Sequence, residues 1–298
     1  GRQEIQQYLK EIAERFDVLG HVRFGLEVTE ACYDEASETW QVTMVSEDGF
    51  QEILHGNILI SAVGAFNKPR IPDIPGLDSF AGASVHTAHY PRKGLEIDGK
   101  HVVLIGSGAS AMQVGPAIAD RVSELTIVQR SPQWVAPFPK FGQDIPEELR
   151  WLLQEVPLYR LWYRLRLSWP FNDKLYEALQ QDPKWSSQGV SINAVNDSHR
   201  VALTEYARKE LVDLPELVPA VLPDYPPFGK RMLLDNGWFR TLARDNVHLV
   251  SGGVVSVFEN GVVFDDGMTL EADALIWATG FDVVNFLTPM NIKGREGH

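Results

Sequence analysis

The residues with the clearest chemical meaning stand at Gly106-Ser107-Gly108-Ala109-Ser110-Ala111, a GxGxxA pattern. Each small residue has a physical reason in a dinucleotide site. Gly106 permits a tight turn, Gly108 lets backbone approach a pyrophosphate, and Ala111 lets a helix pack closely on the preceding strand. The first helical turn then presents unpaired N–H groups and the positive end of its dipole to phosphate oxygens. Where an NAD site places Asp or Glu to bind ribose hydroxyls, at the end of the next strand, this chain has Gln129-Arg130-Ser131. A cation and a hydroxyl suit a 2′-phosphate, so NADPH is the expected dinucleotide.

Three further groups could do chemistry. Lys230-Arg231 follows Tyr225-Pro226-Pro227-Phe228-Gly229, which predicts extended backbone. Neighbours in extended chain point to opposite sides, so the two cations can serve two different sites. Ala278-Thr279-Gly280 ends an apolar strand with small residues, a composition suited to backbone lying against a flat cofactor. His86 and His89 have metal-ligand spacing, but no Cys or carboxylate partners cluster near them in the sequence, and no metal is expected.

These residues need a scaffold, and the hydrophobic periodicity supplies one. His101–Ile105, Ala109–Asp120 and Glu124–Gln129 read as strand, helix, strand: one βαβ unit around the glycine loop. Before it come a helix over Gln3–Arg15 and strands over Val22–Phe24, Leu26–Tyr33, Trp40–Val45 and Phe50–His55, in the pattern of an antiparallel meander. The continuous apolar run Asn57–Val63 predicts a buried strand, and Lys68–Gly76, with three prolines, a stiff connection. Pro132–Pro227 reads as helical and without strands. Within it Leu158–Phe171 predicts a helix packed over the nucleotide domain, its arginines snorkelling to solvent. Strand signal returns at Asn246–Val250, Val254–Phe258, Val262–Phe264 and Asp273–Ala278.

Composition bounds the rest. The 298 residues suit about two domains on a prior of roughly 150 residues each. A net charge of −13 argues against a nucleic-acid or anionic-membrane surface. The single cysteine, Cys32, excludes a disulfide framework or a redox CxxC pair. No run reaches the roughly 18 apolar residues of a membrane span, and a soluble, cytoplasmic protein is expected.

The segment Phe80-Ala81-Gly82-Ala83-Ser84-Val85-His86-Thr87-Ala88-His89-Tyr90-Pro91 resembles the fingerprint FxGxxxHxxxWP of Baeyer–Villiger monooxygenases, with Tyr90 in place of Trp. The glycine loop, Gln129-Arg130-Ser131, Gly229-Lys230-Arg231 and Ala278-Thr279-Gly280-Phe281-Asp282 follow in the same order as in that family. The segments Arg130–Trp134 and Asp224–Arg231 are most similar to its 4-hydroxyacetophenone monooxygenase branch.

The resemblance implies an α/β, two-dinucleotide-binding-domain flavoprotein: a Rossmann-like NADPH domain over 94–267, with a helical insertion about 143–212. It would be inserted in an FAD domain formed by 1–93, with the meander, and 268–298. It implies NADPH contacts from Gly106, Ser107, Gly108, Ala109, Ser110, Gln113, Arg130, Ser131 and Lys230, FAD contacts from Thr279 and Gly280, and a linker role for Phe80, Gly82, His86, Tyr90 and Pro91. As a plain turn, that linker would have Phe80 buried, Gly82 at a special backbone angle and His86 as a hydrogen-bonded hinge.

The implied reaction reduces FAD with NADPH, captures O2 as a flavin peroxide, and attacks a small-molecule ketone, aromatic ketones included, to give an ester or lactone. Arg231 is the implied catalytic residue, its permanent cation stabilising peroxide and oxyanion. Tyr90 is also similar to the N- and S-oxygenating flavin monooxygenases, which remain an alternative. The absence of a second GxGxxG leaves a third: a non-catalytic NADP-binding fragment. On the Baeyer–Villiger resemblance itself, the chain is expected to be a fragment without the N-terminal FAD loop and the C-terminal segment, inactive by itself.

Overall fold

The computed structural model describes residues 2–139, 143–170, 173, 175–186, 189–288 and 290–297. In chain order the elements are α1 (Arg2–Arg15), β1 (Leu26–Asp34), β2 (Thr39–Ser46), β3 (Gln51–Gly56), β4 (Ala83–His86), β5 (His101–Ile105), α2 (Ala109–Ile118), β6 (Glu124–Gln129) and β7 (Val135–Ala136). Then come α3 (Glu147–Glu155), α4 (Tyr159–Trp169), α5 (Leu175–Ala178), α6 (Ala194–Glu210), α7 (Val218–Val221), β8 (Leu233–Leu234) and α8 (Trp238–Leu242). The chain ends with β9 (Val247–Ser251), β10 (Val254–Phe258), β11 (Gly261–Phe264), β12 (Thr269–Glu271), β13 (Ala274–Trp277) and β14 (Asn291–Lys293). Two compact units result: 1–70 with 281–298, and 71–280. The expected boundaries at 93/94 and 267/268 both fall inside the second unit.

The first unit holds the meander, a four-stranded sheet in the order β14-β1-β2-β3. Its first turn forms because the Asp34 carboxylate accepts from Ala36 N at 3.0 Å and from Ser37 Oγ at 2.7 Å. β14 pairs parallel with β1, a strand absent from the sequence expectation. Asn57–Val63 is a correction: it is not a strand, and Ile58 and Ile60 are 80% and 82% exposed. Among the described residues no strand lies beside it to complete a hydrogen-bond ladder, and an apolar run alone does not make a strand. Val22–Phe24 likewise forms no strand.

The second unit is built on an all-parallel five-stranded sheet, ordered β4-β13-β5-β6-β9. Strand alternation divides its apolar residues between two cores. Val102, Leu104, Leu125, Ile127 and Ile276 face one side and pack with α2, α6, α7 and α8. Val103, Ile105, Val128, Leu275 and Trp277 face the other and pack with Val257, Val262 and Phe264. Those last residues come from the antiparallel sheet β10-β11-β12, of which β12 was not expected.

Three expectations change in this unit. The fingerprint segment is not simply a turn, because Ala83–His86 is an edge strand of the parallel sheet, paired with β13. The 132–227 stretch contains β7, which pairs with β8. The α3–α4 pair is not packed over the sheet domain: neither helix buries a residue, and Leu158, Trp162 and Trp169 are 78%, 50% and 52% exposed. The two helices pack chiefly on each other, so the apolar face of α4 stays in solvent. Phe171 lies outside the described residues.

Candidate cofactor site at the carboxyl ends of the parallel strands

The glycine loop leaves β5 at the carboxyl edge of the sheet, where ligands of open parallel sheets bind. Gly106 has φ 117°, and its N–H donates to Val128 O at 2.8 Å. A Cβ there would lie 2.5 Å from the Ala278 carbonyl oxygen, so both the backbone angle and the neighbouring strand exit require glycine. Gly108 differs. It caps α2 in extended backbone, and a Cβ there would meet nothing within 4 Å. No protein atom needs the missing side chain, which leaves room for an external group to approach the N–H donors of Ala109 and Ser110. Ser107 is buried and its Oγ donates to Ser131 O at 3.1 Å. Ala111 is fully buried beneath the helix, and Gln113, exposed on α2, donates to Ala109 O at 3.1 Å.

At the exit of β6 the three expected residues take different roles. Gln129 is buried and donates to Ala220 O at 2.7 Å, so it anchors α7. Arg130 is exposed, and among the described residues it has no hydrogen bond or ion pair. Ser131 Oγ accepts from Lys230 Nζ at 3.1 Å, a contact across 99 residues. Two cations, a hydroxyl and the glycine loop thus gather at one strand exit, with no carboxylate paired to either cation among the described residues.

The expected extended backbone before the cations is a correction. Pro226–Gly229 forms a turn, closed by Gly229 N to Pro226 O at 3.0 Å, with Phe228 at φ 67°. Two prolines favour turn angles, and Gly229 fits closely: a Cβ would come 3.0 Å from Pro226 O and 3.2 Å from the Tyr225 ring, so either neighbour would have to give slightly. The turn folds Lys230 back over Tyr225. Arg231 is exposed and, among the described residues, makes no hydrogen bond or ion pair.

The fingerprint strand supports the next strand exit. Trp277 Nε1 donates to Ser84 Oγ at 2.8 Å, tying β13 to β4. His86 is buried, its Nδ1 accepting from Ala88 N at 3.1 Å. Burial pushes the imidazole below its ordinary range, and an interaction with the Gly280 backbone acts against that shift. Gly82 is a correction, because its φ is not positive. Glycine is required there by crowding, since a Cβ would lie 2.3 Å from Asp273 O and 2.7 Å from the Phe80 ring. Phe80 is half-buried against the second core rather than fully buried, Tyr90 half-buried against the first, and Pro91 exposed. Thr279 and Gly280 follow β13, Gly280 with φ 83° and open space at its Cβ position.

A model of flavin-binding monooxygenase-like proteins matches residues 1–142. An uncharacterized monooxygenase, y4iD of Sinorhizobium fredii, is 47% identical over 296 residues, covering 99% of this chain and 45% of that protein. A Baeyer–Villiger monooxygenase of Streptomyces coelicolor is 30% identical over 297 residues, covering all of this chain and 53% of its own length. A crystal structure described as OTEMO in complex with FAD and NADP superposes with TM-score 0.82 at 29% identity, over 100% of this chain and 61% of that one. Residues 1–142 are thus similar to flavin-binding monooxygenases, and the likeness to named monooxygenases runs along nearly the whole of this chain. The chain spans about half the length of the curated relatives it matches.

Two observations on the site fit a bound dinucleotide. The open volume at Gly108 suits close backbone approach, and Arg130 and Lys230 keep their charge available for a phosphate. Sequence reasoning missed Tyr225 and Trp134. Trp134 Nε1 donates to Tyr225 O at 2.8 Å, and the Tyr225 hydroxyl donates to Pro132 O at 3.2 Å, which clips the 225–231 segment onto the exit of β6. Both stand in the Arg130–Trp134 and Asp224–Arg231 segments already singled out, each an aromatic residue within a few positions of a cation.

Proposed function

We propose that this protein works as an FAD- and NADPH-dependent monooxygenase that inserts one oxygen atom of O2 into a ketone, giving an ester or lactone. The observation carrying the reading is Lys230 Nζ seated on Ser131 Oγ beside Arg130 and the glycine loop, with no carboxylate paired to either cation among the described residues. The relatives' printed names support the chemistry: one is a Baeyer–Villiger monooxygenase, and a structural neighbour was crystallised with FAD and NADP.

When bound, NADPH supplies the hydride and FAD carries the electrons and activates O2. The chain's own residues do the rest. Gly106, Ser107, Gly108, Ala109, Ser110 and Gln113 form the loop and first helical turn that hold the pyrophosphate through N–H donors. Arg130, Ser131 and Lys230 bind the 2′-phosphate. Thr279 and Gly280 bring bare backbone close to the flavin. Phe80, Gly82, His86, Tyr90 and Pro91 support the β13 exit from beside it. Arg231 is exposed and, among the described residues, has no partner to break, so its guanidinium can swing to stabilise negative charge developing on oxygen. Within the family we assign the chain to the 4-hydroxyacetophenone monooxygenase branch, on Arg130–Trp134 and Asp224–Arg231, with aromatic ketones as substrates and the cytoplasm as its location. We keep the domain assignment of the sequence reading: NADPH to 94–267, FAD to 1–93 and 268–298.

In the full-length enzyme, Arg130→Ala is expected to raise KM for NADPH about tenfold or more while leaving KM for NADH near its starting value. Equal effects on both would remove the 2′-phosphate assignment. Incubation with a ketone under labelled O2 should give an ester bearing one labelled oxygen. Sulfoxide from a thioether, with no ester from any ketone, would favour the N- and S-oxygenating alternative.

A further inference from the structure

Lys230 is an exposed, long side chain, and such an ammonium ordinarily spreads over many rotamers and binds with little direction. Here it has a seat. Nζ lies 4.5 Å from the centroid of the Tyr225 ring and 3.1 Å from Ser131 Oγ. The ring is itself held at both ends: the hydroxyl donates to Pro132 O at 3.2 Å, and the backbone carbonyl accepts from Trp134 Nε1 at 2.8 Å. Trp134 is buried, so the clasp is anchored in the domain interior. The Pro226–Gly229 turn then returns the chain so that Lys230 lies over the ring five residues before it. A carboxylate in place of the ring would hold the ammonium equally well but would neutralise it. An aromatic face attracts the cation through its quadrupole and leaves the full charge available to an incoming anion.

We infer that Tyr225 is a positioning and specificity-determining residue, whose ring seats the Lys230 ammonium at Ser131 so that a nucleotide 2′-phosphate meets a pre-placed cation. The inference rests on the NADPH reading of the site. Burial pushes the Tyr225 phenol above its ordinary range, which keeps it a neutral donor to the Pro132 carbonyl throughout the working pH range. Preorganisation of this kind raises affinity for the 2′-phosphate without any contact between Tyr225 and the nucleotide.

The test compares binding of 2′,5′-ADP and 5′-AMP by titration calorimetry, which needs no turnover. The unaltered chain should prefer 2′,5′-ADP. Tyr225→Leu should lower that preference about fivefold to tenfold, with 5′-AMP affinity unchanged, while Tyr225→Phe, which keeps the aromatic face, should retain most of it. A Tyr225→Leu protein with the original preference, alongside a Lys230→Ala protein that has lost it, would overturn the inference and leave the NADPH reading intact. No preference in the unaltered chain would overturn both. If Tyr225→Leu does not fold, Trp134→Phe tests the same clasp by deleting only the indole N–H that holds the Tyr225 carbonyl. A reduced preference supports the seat, and an unchanged one refutes it.

Discussion

Two glycines two residues apart have opposite reasons to be glycine, and the difference is measurable. Gly106 is demanded by the protein: φ 117° and an Ala278 oxygen 2.5 Å from where a Cβ would sit. Gly106→Ala should therefore destabilise the fold by about 3 kcal/mol or more, read as a drop in the denaturation midpoint. Gly108 has ordinary φ and empty space in front of it. Gly108→Ala should cost only about 1 kcal/mol as a helix-cap change yet greatly weaken binding of 2′,5′-ADP. Equal stability losses at the two positions would contradict this division of roles.

His86 makes a third prediction at the same scale. Its pKa is lowered in the folded state by burial first, with His89 adding a smaller repulsion. The unfolded chain then binds more protons than the native one once pH falls below the ordinary histidine value of about 6.5. The neutral ring's contribution is fully present above that pH and is lost as pH falls toward the depressed folded value. Thermal unfolding midpoints should decline over this window, and His86→Gln should flatten that decline. An identical pH profile in the variant would show that another group is responsible.

At the scale of elements, what the sequence disclosed follows from how locally each signal is encoded. β5, α2 and β6 were legible nearly to the residue because a parallel strand buried on both faces is a continuous apolar run, and the glycine loop marks the boundary between strand and helix. The same type of run at Asn57–Val63 misled, since a strand is defined by its neighbour and the run does not encode one. β4 was missed for the converse reason: Ala83-Ser84-Val85-His86 is short and half polar, and it becomes a strand by pairing with β13, nearly 200 residues later. The seat of Lys230 on Ser131 was equally invisible, being set by a turn whose Phe228 adopts an angle that no propensity predicts. The α3–α4 hairpin, which buries no residue, has little holding it against local opening. Limited trypsin digestion should cut first at Arg160, Arg164 or Arg166, leaving the five-stranded sheet protected. First cuts within 101–129 would contradict that order.

At the scale of the molecule, the second unit is an insertion: the chain leaves the first unit at residue 70 and returns to it at 281. The first unit's sheet is thus completed late, when β14 pairs with β1 across 261 residues in the Glu30–Asn291 contact. Closing so long a loop is slow unless the intervening segment has already compacted and brought its ends together. In the second unit, β4 pairs with β13, so residues 83–86 and 274–277 lie side by side once that sheet exists. During synthesis, then, the inserted unit acts as its own jig: folding it shortens the search that β14 must make for β1, and damage to the nucleotide-side sheet would surface first as a defect in the other unit's maturation.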